Sequence, residues 1–360
     1  MTKNSFPTCL LAALLLCSLA PCSATAQTEV TTVPEGYMMV TINAALATTA
    51  PKLTAFSLPL REVASASFVG QAAGRISSVT SNTIVNSAAG WAPGALSNAT
   101  TPFFIRITSG AAEGRTLQIS TGATAQNTAT TLTVLNEGTD LTTLGIAEGD
   151  TYEIFPADTL LSFFGAGTAD GTAGVLGGNA TTGDLVRAIE GTSWSEYHYN
   201  LAAGQWRRGS VPVNMNNVVL RPDRGIIYVR RKMAAFSITL LGRVPDTDLR
   251  VTYNSLGGTF VAGCFPVDQT LSQLAFQQTP GWVAKTALNT IATSDKLQVF
   301  DGSAWNSYHY DAVLGQWRRG SVPINFNTTV IPAGTPVLVE KVSGSTGIGV
   351  LVRPLAYSLD

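Results

Sequence analysis

EYHYNLAAGQWRRGSVPVN, residues 196–214, returns as SYHYDAVLGQWRRGSVPIN at 307–325. Trp305 repeats Trp194 at an offset of 111 in sequence number, and 14 of the 21 positions in 194–214 match 305–325 without a gap. In an extended chain successive side chains point to opposite faces, so Tyr197 and Tyr199 share one face and His198 lies with Trp194 on the other. NLAAG (200–204) and DAVLG (311–315) then supply a turn, with Gly204 or Gly315 free to take positive φ. QWRR returns as a second strand. The stretch is a β-hairpin, and the chain contains it twice.

Working outward, the register holds on both sides. Asp184 meets Asp295, Gly191 meets Gly302, Thr159-Leu160 meets Thr270-Leu271, and AFSITLL (235–241) falls on TGIGVLV (346–352). Short β-rich runs recur elsewhere: FFIRIT (103–108), TLQIS (116–120), TTLTVL (130–135), DTYEIF (150–155) and GIIYVR (225–230). Gly, Pro, Asn and Asp bound them, and no long stretch has helical periodicity. The expectation is an all-β protein with two homologous β-sandwich-like modules related by that one offset. AGCFPV (262–267) lies a few residues before Thr270, whereas its best counterpart, AFSLPL (55–60), lies roughly 100 residues before Thr159. Residues 61–157 therefore read as a small β-barrel-like insertion. The expected units are a signal peptide at 1–26, a first module at 27–60 plus 158–243, the insertion at 61–157 and a second module at 244–360.

The insertion carries FFIRITSGAAEGRTLQIS, then TTLTVL, then AEGDTYEIFP. It resembles a small β-module of many secreted bacterial proteins and some phage structural proteins, in which an S-G-x-x-x-G-R turn joins two strands and G-D-x-Y-E-I closes the unit. Ser109, Gly110, Gly114, Arg115, Gly149, Asp150, Tyr152 and Ile154 carry the likeness. Taken whole, the chain resembles an uncharacterised family of secreted β-rich proteins of verrucomicrobial type. That resemblance implies a fold and a location but no activity, and so no site residues.

The N-terminal stretch has a single early cation, Lys3, an apolar run Leu10–Leu19 and then Ala24-Thr25-Ala26, the pattern of a cleaved export signal. The run is shorter than the roughly 20 residues that span a bilayer. Cleavage would leave Gln27 first and place the protein in the periplasm, on the cell surface or outside the cell. It would also remove three of the 4 cysteines, leaving Cys264, which cannot form an internal disulfide and is expected to be a small buried residue. The formal net charge is −1 and only 12% of residues are charged, so no basic stripe marks the chain for nucleic acid. No transmembrane span is expected in the mature chain. The expected partners are other copies, envelope or matrix components, or glycans.

Two readings of the repeated motif compete. As structure, its aromatics pack across a hairpin and one of Arg207 and Arg208 lies over a tryptophan. As a binding site, Trp194, Tyr197, His198, Trp206 and Arg207, with Trp305, Tyr308, His309, Trp317 and Arg318, form two anion or glycan sites. Exposure of Trp206 and Trp317 separates them. Catalysis by the histidines is disfavoured, because Glu196, which would orient His198, is Ser307 in the second copy. Neither histidine has another four residues away, which excludes the HExxH zinc motif. GAGTADGTAGVLGG (165–178) lacks the third glycine of a dinucleotide loop and reads as a flexible connection. Asp246-Thr247-Asp248 lacks the downstream Gly and Glu of a calcium loop and reads as a turn. No cofactor or metal is expected. The leading expectation is an exported non-catalytic structural or surface-assembly protein. The alternatives are a glycan-binding protein and a hydrolase with unmarked carboxylates.

Overall fold

β-branched and aromatic runs set the strands. The computed structural model describes residues 34–60, 70–136, 138–190, 193–253, 257–288, 290–342 and 349–358. The described strands begin with β1 (Glu35–Ile42) and β2 (Lys52–Phe56). Seven strands follow: β3 (Ala73–Arg75), β4 (Ser78–Val79), β5 (Thr83–Val85), β6 (Phe103–Ile107), β7 (Thr116–Gln118), β8 (Thr131–Thr133) and β9 (Thr151–Pro156). A short helix, α1 (Leu160–Phe164), is capped by Thr159, whose hydroxyl accepts from the Ser162 N–H. Then come β10 (Leu185–Glu190), β11 (Ser193–Asn200), β12 (Gln205–Arg208), β13 (Ile226–Arg230) and β14 (Phe236–Arg243). The last strands are β15 (Leu249–Tyr253), β16 (Gly257–Val261), β17 (Gln269–Thr270), β18 (Lys296–Phe300), β19 (Trp305–Asp311), β20 (Gln316–Arg318), β21 (Val330–Ile331), β22 (Val337–Lys341) and β23 (Gly349–Arg353). The protein is all-β.

Two five-stranded antiparallel sheets are ordered alike, β12-β11-β10-β13-β2 and β20-β19-β18-β22-β16. Val186 pairs with Tyr197 in one and Leu297 with Tyr308 in the other, at the offset of the sequence repeat. Phe56 opposes Ile226, and Val261 opposes Val337. That register sets Phe56 against Val261, two residues away from the match of AFSLPL with AGCFPV. A slip of two keeps every side chain on its face of the pleat, so hydrophobic pattern alone could not detect it. Each sheet faces a two-stranded ribbon, β1–β14 or β15–β23. Between them lie the buried cores, built around Phe56, Trp206 and Tyr228 in one case and Phe265, Phe276 and Trp317 in the other.

Strands β3–β9 pair only among themselves, as a four-stranded sheet β3-β9-β6-β7 and a three-stranded sheet β4-β5-β8. Trp91, Ile105, Leu132 and Ile154 share the core between them. The barrel-like expectation is corrected here: β4, β5 and β8 are two or three residues long, too short to carry a ladder round, and the two sheets do not close. The S-G-x-x-x-G-R turn has a docking role. Gly114, at φ +83°, lies so near Asp248 that a Cβ would stand 1.8 Å from its carbonyl oxygen. Arg115 donates to the Thr252 hydroxyl at 2.6 Å, and Arg250 Nε donates to the Glu113 carbonyl at 2.7 Å. The turn thus covers β15, and its neighbour Asp246–Asp248 is a short irregular link before that strand.

Candidate functional site: the repeated motif and the cleft between the sheets

The motif forms the expected hairpin in both copies, with His198 opposite Arg207 and Tyr199 opposite Trp206, and with His309 opposite Arg318 and Tyr310 opposite Trp317. Trp206 and Trp317 are both 0% exposed. Trp206 Nε1 donates to the Gly165 carbonyl at 3.0 Å, and its ring meets Tyr199 edge-on at 5.9 Å. Trp317 packs against Tyr310 and Trp282. Tyr197 and Tyr308 are buried in the same cores. Exposed stacking platforms at these four residues are therefore ruled out, because the strand pleat turns them inward. Asparagines two residues past the motif serve the same end. Asn216 accepts from the Trp206 N–H at 2.8 Å and Asn327 from the Trp317 N–H at 2.7 Å.

Both histidines are buried as well, on the opposite face. Burial, then the Arg207 charge, lowers His198 below its ordinary value. Burial also lowers His309, where Asp311 pulls the other way and Lys285 and Arg318 reinforce the fall. His198 Nδ1 has no hydrogen-bond partner among the described residues. Arg318 lies 3.5 Å from Asp311 and donates to the Val322 carbonyl. Arg230, Lys341 and Arg353 lie over aromatic rings. Each imidazole is thus a buried side chain packed beside a guanidinium, and the Asp311 carboxylate near His309 is engaged with Lys285 and Arg318.

Sequence reasoning missed the fully buried ion pairs. Asp184 and Arg230 are both fully buried and lie 2.6 Å apart. Asp184 also accepts from the Tyr228 hydroxyl at 2.8 Å and from the N–H groups of Leu176 and Arg231. Asp295 and Lys341, their counterparts in the second copy, form the same fully buried ion pair. The matched aspartates were a visible signal; their partners, 46 residues ahead, were not. Arg230 corrects a second expectation, because it donates to the carbonyls of Gly171 and Gly174 at 2.6 Å. The glycine-rich 165–178 segment is tied to the ion pair and is not a free linker. Cys264 is buried as expected, and burial pushes its thiol up to about 11.

The remaining motif residues, Trp194 and Trp305, come together in a cleft between the outer faces of the two five-stranded sheets. Phe260 stands between them, 5.5 Å from Trp194 and 5.9 Å from Trp305, edge-on to both. The cleft, about 380 Å³, is walled by Leu53, Ile227 and Leu338 with the two tryptophans, and rimmed by Arg187, Glu196 and Gln298. Trp194 is 40% exposed. Glu196, the single carboxylate among the lining residues, lies 2.7 Å from Arg187. Among the described residues no group of three His, Cys, Asp or Glu side chains could hold a metal, and no helix is long and apolar enough to cross a membrane. No family model matches the chain, and neither does any curated protein or solved structure.

Proposed function

We propose that the protein is an exported, non-catalytic structural β-protein that acts as an assembly component of the cell envelope or extracellular matrix. The observation that carries this reading is the use made of the repeated motif. Its buried tryptophans, tyrosines and histidines stabilise two hairpins, and the charged pairs beside them are spent inside the core. These buried residues, which the binding and catalytic readings would have used, are thus engaged in packing. The export-type N-terminus and the resemblance to secreted bacterial proteins support the location. In this reading 27–60 plus 158–243 and 244–360 are homologous modules, and 61–157 is an insertion in the first.

Fractionation of native cells tests the proposal. The chain should appear in the envelope or matrix fraction with Gln27 at its N-terminus by mass spectrometry. Recovery from the cytoplasm with residues 1–26 still attached would sink it.

A further inference from the structure

The two copies diverge in strands that packing should hold alike, and yet agree along an exposed segment. β10 (185–190) and its counterpart 296–301 share none of six residues, and β13 and β22 share none of five. Yet Arg208–Asn214 and Arg319–Asn325, RGSVPVN and RGSVPIN, are identical at six of seven positions, and every one of these residues is exposed in both copies. Each segment is a finger closed at its root, where Trp206 O accepts from Met215 N and Trp317 O from Phe326 N, both at 2.9 Å. Folding accounts for two of the seven. Gly209 and Gly320 sit at φ 53° and 54°, and Asn214 and Asn325 cap the turns that follow. Ser210, Val211 and Pro212 face solvent, and the fold places no demand on them.

We propose that these fingers are self-association elements, and that each docks its Val-Pro-Val or Val-Pro-Ile tip into the cleft of a second copy of this chain. Proline restricts the preceding valine to extended conformations, so each tip is preformed and little is lost in ordering it on binding. Extended proline segments are recognised by aromatic-lined grooves. The cleft provides one, with Trp194 and Trp305 as walls and aliphatic side chains between them. Its volume is at the small end of ligand pockets, room for a few side chains and not for a folded surface. Finger and cleft are different surfaces, so the contact is head-to-tail and leaves a free finger and a free cleft on every pair. With two fingers and one cleft per chain, assembly can continue beyond a dimer and branch. The choice of a second copy as occupant rests on the assembly reading above. The individual contact is small and falls among weak, transient interfaces.

Sedimentation and light scattering of the purified protein over a concentration series test this. A finger variant with Val211→Ser, Pro212→Gly, Val322→Ser and Pro323→Gly, folded as wild type by circular dichroism, should self-associate at least about tenfold more weakly, as expected when an anchor is removed. The peptide RGSVPVN, titrated into that variant, should saturably change its tryptophan fluorescence, whereas a scrambled peptide should not. Mixing the finger variant with Trp305→Ala, whose fingers are intact, should yield complexes that stop at three chains. A wild type that stays monomeric, a finger variant that assembles unchanged, or a cleft that binds a neutral oligosaccharide but not the peptide would each overturn the inference. Envelope localisation of a monomeric chain would do so while leaving the proposed function in place.

Discussion

Replacing Asp184 by Ala should be among the most damaging single substitutions in the protein. The carboxylate is fully buried and accepts four hydrogen bonds, from Arg230 Nη1 at 2.6 Å, Arg231 N at 2.7 Å, the Tyr228 hydroxyl at 2.8 Å and Leu176 N at 2.9 Å. Its removal leaves the Arg230 guanidinium charged and without solvent. Breaking a buried pair in this way costs about 3–5 kcal/mol. The double variant Asp184→Leu with Arg230→Met removes the stranded charge and should recover part of that loss. Recovery cannot be complete, because the Gly171, Gly174 and Ala234 carbonyls also lose their donor. Only the bond to Gly171 is buried, while those to Gly174 and Ala234 are part-buried, so this loss is held to the cost of one unpaired acceptor, about 1–3 kcal/mol. Urea unfolding followed by circular dichroism reads the difference as a lower midpoint at unchanged slope. A loss below about 1 kcal/mol for Asp184→Ala would refute the account, given the magnitudes for buried pairs. So would a double variant less stable than the single.

Four further outcomes are expected. Trp206→Ala should cost about 3–5 kcal/mol in the same assay, while His198→Ala, which removes an unpartnered ring nitrogen, should cost clearly less. Acid should weaken the fold in two steps. His198 and His309 are held below 6.5 by burial, so the unfolded chain protonates first; their contribution is whole above 6.5 and declines as the pH falls, by at most about 1.4 kcal/mol per pH unit for each histidine. Burial alone would raise Asp223, but Arg221 and Arg224 hold it at about 2, so it adds stability above 3.8 that is lost on the way down to 2. Calorimetry showing greater stability at pH 5 than at pH 7 would contradict the histidine assignment. Gly114→Ala would force a Cβ onto the Asp248 carbonyl from a left-handed backbone, and should make the 109–115 turn the first site of limited proteolysis. Replacing residues 70–156 by a short Gly/Ser linker should leave a cooperatively unfolding β-rich chain, because closure entropy grows only by about 0.6 kcal/mol per doubling of loop length. An unfolded product would end the nested reading of the chain.

Strand identity and the position of the hairpin turns were legible in the sequence because both are local. Period-two alternation, turn glycines and the echo of one motif in the other predicted a hairpin in each copy, and the structure pairs Tyr199 with Trp206 and Tyr310 with Trp317 across them. Alternation also put Tyr197 and His198 on opposite faces. It could not tell which face would be covered, and in the event both were: Tyr197 by the ribbon side of its core, and His198 on the outer face of the sheet. The partners of Asp184 and Asp295 lie 46 residues on, and local pattern carries no information at that separation. The cleft was beyond reach for the same reason. Trp194 and Trp305 belong to different copies of the motif, and only the packing of one sheet's outer face against the other brings both rings to Phe260. Backbone pleat and turn chemistry are short-range and were settled by the residues themselves, whereas burial, ion pairing and the shared cleft are properties of surfaces that exist only once the sheets have met.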